Sequence, residues 1–161
     1  MQAPIAIYGM PGHLIRRMHQ ASQAIFDSAI TEVGFGLTSV QYAALTVIAA
    51  RPGLDQATLA SAIAFDRPTT GGVIDRLEAK GLVRREIAKG DRRSRRLHLQ
   101  PAGRQVLEGA TPVVERVQER MLAGLNAAEQ ATLLRLLSKA LKAVGEVSRP
   151  AAKSPARSIA R

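Results

Sequence analysis

Two short segments with helical character follow each other closely in the middle of the chain, and an aspartate precedes each. LDQATLASAI begins at Asp55, and FDRPTTGGVIDRLEAKG begins at Asp66, carries Pro68 in its first turn and closes at Gly81. Aspartate is a preferred N-cap, proline is tolerated in a first turn, and glycine commonly ends a helix. Two short helices joined by three or four residues predict a helix-turn-helix, and this pair constrains the fold most.

The residues after Gly81 change from helical spacing to strand alternation. LVRREIA and RLHLQ alternate apolar and polar side chains on either side of Gly90-Asp91, which predicts a β-hairpin. Seven basic side chains lie between residues 84 and 96 against two acidic ones, so this segment has a local net charge of +5. A helix-turn-helix followed by a basic hairpin predicts a winged helix-turn-helix.

Longer helical patterns lie on both sides of this unit. A first amphipathic helix is predicted from Pro11 to Gly34, and a second, heavily apolar one begins at Thr38 or Ser39. Two more follow Pro101, the last with Asn126 as N-cap and Glu129 at the capping-box position. With 161 residues, 46% of them hydrophobic, the chain can bury one core built on aliphatic side chains.

The predicted fold class is therefore mainly α: a winged helix-turn-helix with a two-stranded β-hairpin wing, flanked by N- and C-terminal dimerisation helices. Residues 1–36 are assigned to an N-terminal arm and dimerisation helix, and residues 37–100 to the DNA-binding lobe. Residues 101–148 are assigned to the C-terminal dimerisation helices. The segment 149–161 carries four basic and no acidic groups and is rich in Pro, Ala and Ser, so it is predicted to be a disordered basic tail.

The run DRPTTGGVIDRLEAKGLVRRE followed by GDRRSRRLHLQPAG resembles the MarR (multiple-antibiotic-resistance regulator) family of bacterial transcriptional regulators. The resemblance covers roughly residues 14–141 and rests on the recognition helix, the RLEEKGLV junction and the DxRxxR…LTxxG wing of that family. Ser94 stands where the family usually has a second aspartate, and Gln100 where it usually has threonine. The resemblance implies a homodimeric, ligand-responsive regulator, most often a repressor, that binds a pseudo-palindromic operator in double-stranded DNA.

An α-helix fits the major groove of B-DNA, and its first turns reach base edges best. Side chains of the helix after Asp66 are therefore expected to read bases, and the wing to meet phosphates and a minor groove. The expected DNA-binding residues are Arg67, Thr69, Thr70, Gly72, Arg76, Lys89, Arg92, Arg93, Arg95 and Arg96. A different interpretation of Gly71 and Gly72 is that they only allow close helix packing. Asp75 is expected to orient a neighbouring arginine, and at most one of Arg84 and Arg85 to face DNA.

The net charge of +10 leaves a second function class open. A non-specific architectural protein can use the wing and tail for their charge alone, with little preference between DNA sequences.

We recognise no enzyme motif in the sequence. The three histidines, His13, His19 and His98, form no HxxxH pair, and no phosphate loop or catalytic serine motif is present. No metal site, cofactor or catalytic residue is therefore expected. The chain has no cysteine, which excludes thiol oxidation as a trigger. No signal peptide or membrane-spanning run is recognised, so the expected location is the cytoplasm.

The terminal helices carry wide apolar faces that one small winged domain cannot cover, which predicts a partner chain. The resemblance further implies a small anionic aromatic effector, or its acyl thioester, bound between the dimer helices and the DNA-binding lobe. Adjacent arginines on the otherwise apolar first helix suggest that one of them faces inward and binds a carboxylate. The expected ligand-binding residues are His13, Arg16, Arg17, His19, Phe35 and Tyr42. The arginines can instead pair with Asp27 or Glu32 of a partner subunit, or face solvent.

Overall fold

The computed structural model describes residues 6–88 and 91–147, with the side chains of 88, 91–94, 146 and 147 outside the description. After a 3₁₀ turn at Ala6–Gly9, the helices are α1 (Pro11–Glu32), α2 (Ser39–Ala50), α3 (Gln56–Ala62), α4 (Arg67–Ala79), α5 (Pro101–Met121) and α6 (Ala127–Val147). The strands are β1 (Leu54–Asp55), β2 (Val83–Ala88) and β3 (Asp91–Leu99). The chain divides into two compact units at residues 121 and 122.

Side-chain caps fix the starts of the helices where the sequence predicts them. The Thr38 hydroxyl accepts from the amide of Gln41, whose side chain accepts from the amide of Thr38, so a capping box starts α2. Asp55 accepts from the amide of Thr58 at 2.8 Å, and Asp66 from the amide of Thr69 at 2.7 Å. These bonds satisfy amides that the first turn of a helix leaves without an intrahelical partner.

The sheet has three strands, in the order β1-β3-β2, where the sequence predicts a two-stranded hairpin. β2 and β3 form the predicted antiparallel wing, with Val83 opposite Leu99 and a register irregularity after Ile87. The additional strand is the two-residue β1, which pairs Leu54 with Leu97. Two residues are too short to give an alternating pattern, so sequence periodicity could not reveal this strand.

One core joins α1 to α5 with the inner face of the sheet. Leu45 and Ile48 of α2 are fully buried, as predicted for a core helix, together with Leu59 of α3 and Ile74 and Leu77 of α4. Only the last third of α1 reaches this core, through Phe26, Ala29 and Ile30. Leu14 and Met18 in its first half are exposed among the described residues.

Two glycines of α5 lie where neighbouring residues leave no room for a Cβ atom. A Cβ on Gly103 would lie 2.1 Å from the carbonyl oxygen of Leu82, and a Cβ on Gly109 would lie 2.5 Å from the ring of Phe35. The glycine of the QPAG motif therefore lets the start of α5 lie directly on the backbone before β2.

The second unit contains α6, whose start has the predicted capping box. Asn126 accepts from the amides of Ala128 and Glu129, and Glu129 accepts from the amide of Asn126 at 2.8 Å. The leucines of α6 are exposed within this chain, Leu141 at 71%. None of the helices in the described ranges combines the length and hydropathy that a membrane span requires.

Candidate nucleic-acid interface

One face of α4 carries the exposed side chains of Thr69 and Arg76, with Gly72 between them. Thr69, Gly72 and Arg76 lie within about 60° of one another around the helix, since each residue turns the chain by about 100°. Arg67 and Arg76 are exposed, and neither forms an ion pair with another described residue. Two guanidinium groups without carboxylate partners are therefore free for a ligand or a base edge.

Thr70 requires a correction. Its side chain is fully buried, and its hydroxyl donates to the carbonyl oxygen of Asp66 at 2.8 Å. One residue from Thr69 along the helix, it faces the core with Val73 and Ile74 instead of the groove. The prediction of a DNA contact for Thr70 is wrong, because a group with no exposed surface cannot reach DNA.

The two glycines of α4 have different surroundings. A Cβ on Gly71 would lie 3.1 Å from Nε2 of Gln56, and this amide donates to the carbonyl oxygen of Arg67 at 3.0 Å. Gly71 thus allows close packing of α3 on α4. A Cβ on Gly72 would meet only Nη2 of Arg76, at 3.9 Å, so the guanidinium folds back over Gly72 on the exposed face.

Arg85 links the recognition helix α4 to the wing. Its guanidinium donates to Asp75 at 2.5 Å and to Glu78 at 2.6 Å, and its backbone amide donates to Glu78 at 3.1 Å. Burial opposes the charge of Arg85, but the hydrogen bond and charge of Asp75, with those of Glu78, outweigh it and raise the pKa of the guanidinium. Asp75 therefore orients an arginine, as predicted, and Arg85 is held against α4. Arg84 pairs with Glu86.

The structure describes the side chains of only some of the basic residues expected in the wing. Arg95 and Arg96 are exposed, and Arg96 donates to the carbonyl oxygen of Gly53 at 3.1 Å, so it fastens β3 to the turn before β1. Lys89 lies outside the described residues. Arg92 and Arg93 belong to β3, but their side chains lie outside the description. Their expected DNA contacts stay predictions.

The six residues expected to bind an effector do not converge within one chain. His13, Arg16, Arg17 and His19 lie on the first half of α1, and both arginines are exposed. The described residues of one chain therefore do not provide the expected inward arginine. Among the described residues, Nε2 of His13 is buried without a hydrogen-bond partner, and the Tyr8 ring lies 5.7 Å away.

Tyr42 and Phe35, the two aromatic residues expected at the effector site, lie away from the start of α1. The Tyr42 ring lies 6.3 Å from the Phe26 ring, and its hydroxyl lies 3.2 Å from that of Thr111 on α5. Phe35 packs against Gly109. Phe26 follows His13 by 13 residues, roughly 20 Å along a helix, so Tyr42 is remote from the start of α1 in the same chain.

The sequence predicted that Asp75 orients an arginine, but it did not identify Glu78 or Arg85 as the other members of this contact. The clamp on Arg85 uses carboxylates at positions 75 and 78, and the i, i+3 spacing within DRLE is its only signal. Hydrogen bonds from the cap amides, chiefly of Thr58 and Thr69, lower the pKa of Asp55 and Asp66, so both caps are charged at neutral pH. No cluster of three potential metal ligands occurs in the part of the chain that the structure describes.

Comparison with known proteins identifies the family. A profile of the MarR family matches residues 35–94. The chain is 32% identical over 136 residues to the HTH-type transcriptional repressor NicR of Pseudomonas putida, covering 84% of this chain and 85% of NicR. The chain belongs to the MarR family. Members of this family are transcriptional regulators, and the predicted family is confirmed.

Solved structures confirm the predicted fold class. BpsR of Bordetella bronchiseptica, whose DNA binding is regulated by 6-hydroxynicotinic acid, is 32% identical, with a TM-score of 0.79 over 85% of this chain and 96% of that one. PcaV of Streptomyces coelicolor in complex with its natural ligand is 33% identical, with a TM-score of 0.80 over 89% of this chain and 99% of that one. The mainly helical architecture of this MarR protein therefore has close counterparts among solved regulators.

Proposed function

We propose that this MarR protein is a homodimeric repressor that binds a pseudo-palindromic operator and is released by a small anionic aromatic compound or its acyl thioester. The observation that supports it most is the exposed row of Thr69, Gly72 and Arg76 on α4, beside a wing rich in arginine. A helix with this face fits a major groove, while the wing contacts the neighbouring backbone.

The unpaired guanidinium groups of α4 support direct base recognition. Arg67 and Arg76 are exposed without carboxylate partners among the described residues, whereas Arg85 is neutralised by two. An arginine that is free of internal partners can donate two hydrogen bonds to guanine. Arg85 instead sets the angle between α4 and the wing.

Apolar surface on the terminal helices supports the homodimer. Leu14, Ile15 and Met18 of α1 are between 43% and 59% exposed, and five apolar side chains of α6 are also exposed. A monomer rarely leaves whole helix faces of this kind in water. Two copies related by a two-fold axis place two α4 helices on half-sites about one turn of DNA apart.

Relatives support the repressor role and the effector class. NicR is a repressor, and the DNA binding of BpsR responds to 6-hydroxynicotinic acid, an aromatic carboxylic acid. In this chain His13, Arg16, Arg17 and His19 supply two cations and two imidazoles at the start of α1. We propose that they hold the effector's anionic group, and that Phe35 and Tyr42 contribute through the packing of α2 on α5.

The test is a footprint on the DNA flanking the gene, followed by titration of operator and random duplexes at one salt concentration. A regulator of this type binds its operator about 10³-fold or more tightly than random DNA. Equal affinity for both duplexes would favour the architectural function, which the charge of +10 by itself supports.

The effector is tested on the operator complex. Aromatic acids and their coenzyme A thioesters are added to complexes of wild type, Arg16→Ala and Arg17→Ala. We expect release of the wild type and a weaker response of at least one variant. If no compound releases the wild type, or if both variants respond as the wild type does, the anion group on α1 does not bind the effector.

A further inference from the structure

Ile87 is an exposed apolar side chain on the wing. It belongs to β2, where Val83, Arg85 and Ile87 lie on one face because successive side chains of a strand point to opposite faces. Val83 is buried and Arg85 is held against α4, so this face of the sheet is the one next to the recognition helix. Ile87 lies about 7 Å beyond Arg85 along the strand, and its side chain is 58% exposed.

The residue opposite Ile87 is basic. Ile87 pairs with Arg95 across the antiparallel ladder, and directly paired side chains lie on the same face of a sheet. The Arg95 side chain is exposed. Beyond the contact of Arg85 with α4, this face of the wing therefore presents an aliphatic side chain next to a cation.

A bulge in the ladder follows Ile87 directly. Ile87 pairs with Arg95 and Ala88 with Asp91, so residues 92–94 of β3 lie between two consecutive pairs as extra residues. Such bulges bend a strand and increase its local twist, and they are common where a sheet presents side chains to a ligand. Residues 92 and 93 are both arginine, so Ile87 lies at the base of the arginine-rich part of the wing.

An aliphatic side chain among cations matches the chemistry of a minor groove. Phosphates at the edges of the groove attract arginine, and deoxyribose along its walls offers apolar surface. The floor differs between base pairs, since A·T presents only acceptors whereas G·C adds the N2 amino group of guanine. Isoleucine cannot accept a hydrogen bond from that amino group, and a buried polar group without a partner costs free energy. Contact with Ile87 therefore favours A·T pairs.

We propose that Ile87 packs in the minor groove beside each half-site and gives the protein a preference for A·T pairs at these positions. The arginines of the wing attract the DNA backbone through their charge, while Ile87 distinguishes the base pairs. This deepens the proposed function and rests on it, because the wing meets this groove only when α4 occupies the neighbouring major groove.

The test uses the full-length protein and operator duplexes that carry A·T, G·C or inosine·C pairs where the footprint places the wing. Inosine lacks the N2 amino group of guanosine, so inosine·C resembles A·T in the minor groove and G·C in the major groove. We expect about tenfold weaker binding to the G·C duplex than to the A·T duplex, and recovery with inosine·C. Equal affinity for inosine·C and G·C would overturn the proposal, because the protein would then not detect the amino group.

Variants of Ile87 separate its contact from the attraction of the arginines. Ile87→Thr keeps the β-branched shape that suits a strand but supplies a hydroxyl that can accept from the amino group, so the preference for A·T over G·C should disappear. Ile87→Val should retain most of this preference. The matched control Val33→Thr makes a similar change at an exposed position at the end of α1 and should bind all three duplexes as the wild type does.

Salt dependence gives an independent measurement. An apolar contact displaces no counterions, so Ile87→Thr should leave the slope of log affinity against log salt unchanged, whereas Arg95→Gln should make it shallower by up to about 0.9. An A·T preference that remains in Ile87→Thr, or a shallower slope in that variant, would overturn the role of Ile87 and leave the operator-binding regulator intact. A wild type that binds operator and random duplexes equally would overturn the proposed function and this inference with it.

Discussion

Adjacent threonines on α4 have different environments. The hydroxyl of Thr70 is buried on the carbonyl oxygen of Asp66, whereas Thr69 is exposed and donates to the Asp66 carboxylate at 2.8 Å. We expect Thr70→Val to leave operator affinity unchanged and to lower the unfolding free energy by about 1 kcal/mol, the usual worth of one hydrogen bond. Thr69→Val should weaken operator binding. Gel-shift titration measures operator affinity, and thermal unfolding measures stability. A Thr70→Val protein that folds normally but binds DNA poorly would contradict the assignment of Thr70 to the core.

Arg76 and Arg93 separate base recognition from backbone attraction. Arg76→Ala should relax specificity at one base pair, at a cost of about 1–3 kcal/mol if the contact is bidentate. Arg93→Ala should weaken binding with little change in sequence preference, because its expected partners are a minor-groove edge and a phosphate. Affinities for operators mutated one base pair at a time test this. Equal losses on operator and random DNA for both variants would show that the two roles are wrongly assigned.

The order of helices and strands is easier to predict from the sequence than the contacts that individual side chains make between them. Caps and apolar periodicity predict the order of helices and strands, because each depends on residues near one another in the chain. Whether Thr69 or Thr70 faces the groove depends on a rotation of about 100° about the axis of α4, which tertiary packing sets. Thr70 precedes Val73, Ile74 and Leu77 by three, four and seven residues, the spacing of one helix face, so the apolar residues of α4 already indicated that Thr70 faces the core.

The clamp between α4 and β2 is tested through Arg85. Arg85→Met keeps the aliphatic stem and removes both ion pairs, so we expect a lower melting temperature and faster amide exchange in β2. Operator affinity should fall by about tenfold, equivalent to about 1.4 kcal/mol, because the wing loses its fixed angle. Arg84→Met is the matched control, since Arg84 pairs with Glu86 on the same strand. An equal change of exchange in both variants would argue against a clamp.

The close packing of α5 against its neighbours is tested by adding a methyl group at each of its two crowded glycines. Gly103→Ala places a methyl group 2.1 Å from backbone, at the carbonyl oxygen of Leu82, so α5 or β2 must shift and we expect a loss of about 3 kcal/mol or more. Gly109→Ala meets the far end of the Phe35 ring, a side chain that can turn, so its loss should be smaller. Chemical denaturation measures both. A more stable Gly103→Ala protein would show that this contact is looser than described.

At the scale of the whole molecule, the proposed effector site is the part that the sequence predicts least well. The adjacent Arg16 and Arg17 suggested a buried carboxylate site, but both side chains are exposed among the described residues. The aromatic residues expected at this site, Phe35 and Tyr42, contact Gly109 and Thr111 of α5, and no local pattern in the sequence links these positions.

The basic tail beyond Ser148 lies outside the described residues, and its role is a prediction from charge. Deleting residues 149–161 removes four basic groups, so the slope of log affinity against log salt should become shallower by up to about 0.9 for each lost phosphate contact. Preference for the operator should not change, because the tail reads no bases. Titrations of the full chain and the shortened chain at several salt concentrations measure this, and an unchanged slope would mean that the tail does not touch DNA.

The short strand β1 has a consequence for how the protein locates a pair of half-sites. The amide of Gly53 donates to the carbonyl oxygen of Leu97 at 2.8 Å, and its own carbonyl accepts from Arg96, so the turn before β1 is fastened to β3, the middle strand of the sheet. Because Arg85 also holds α4 to β2, the recognition helix and the described part of the wing are tied to each other within each copy. In a dimer, this connection fixes the distance between the two recognition helices. An operator whose spacer gains one base pair moves one half-site along the DNA and rotates it around the axis, so we expect the protein to bind that operator more weakly.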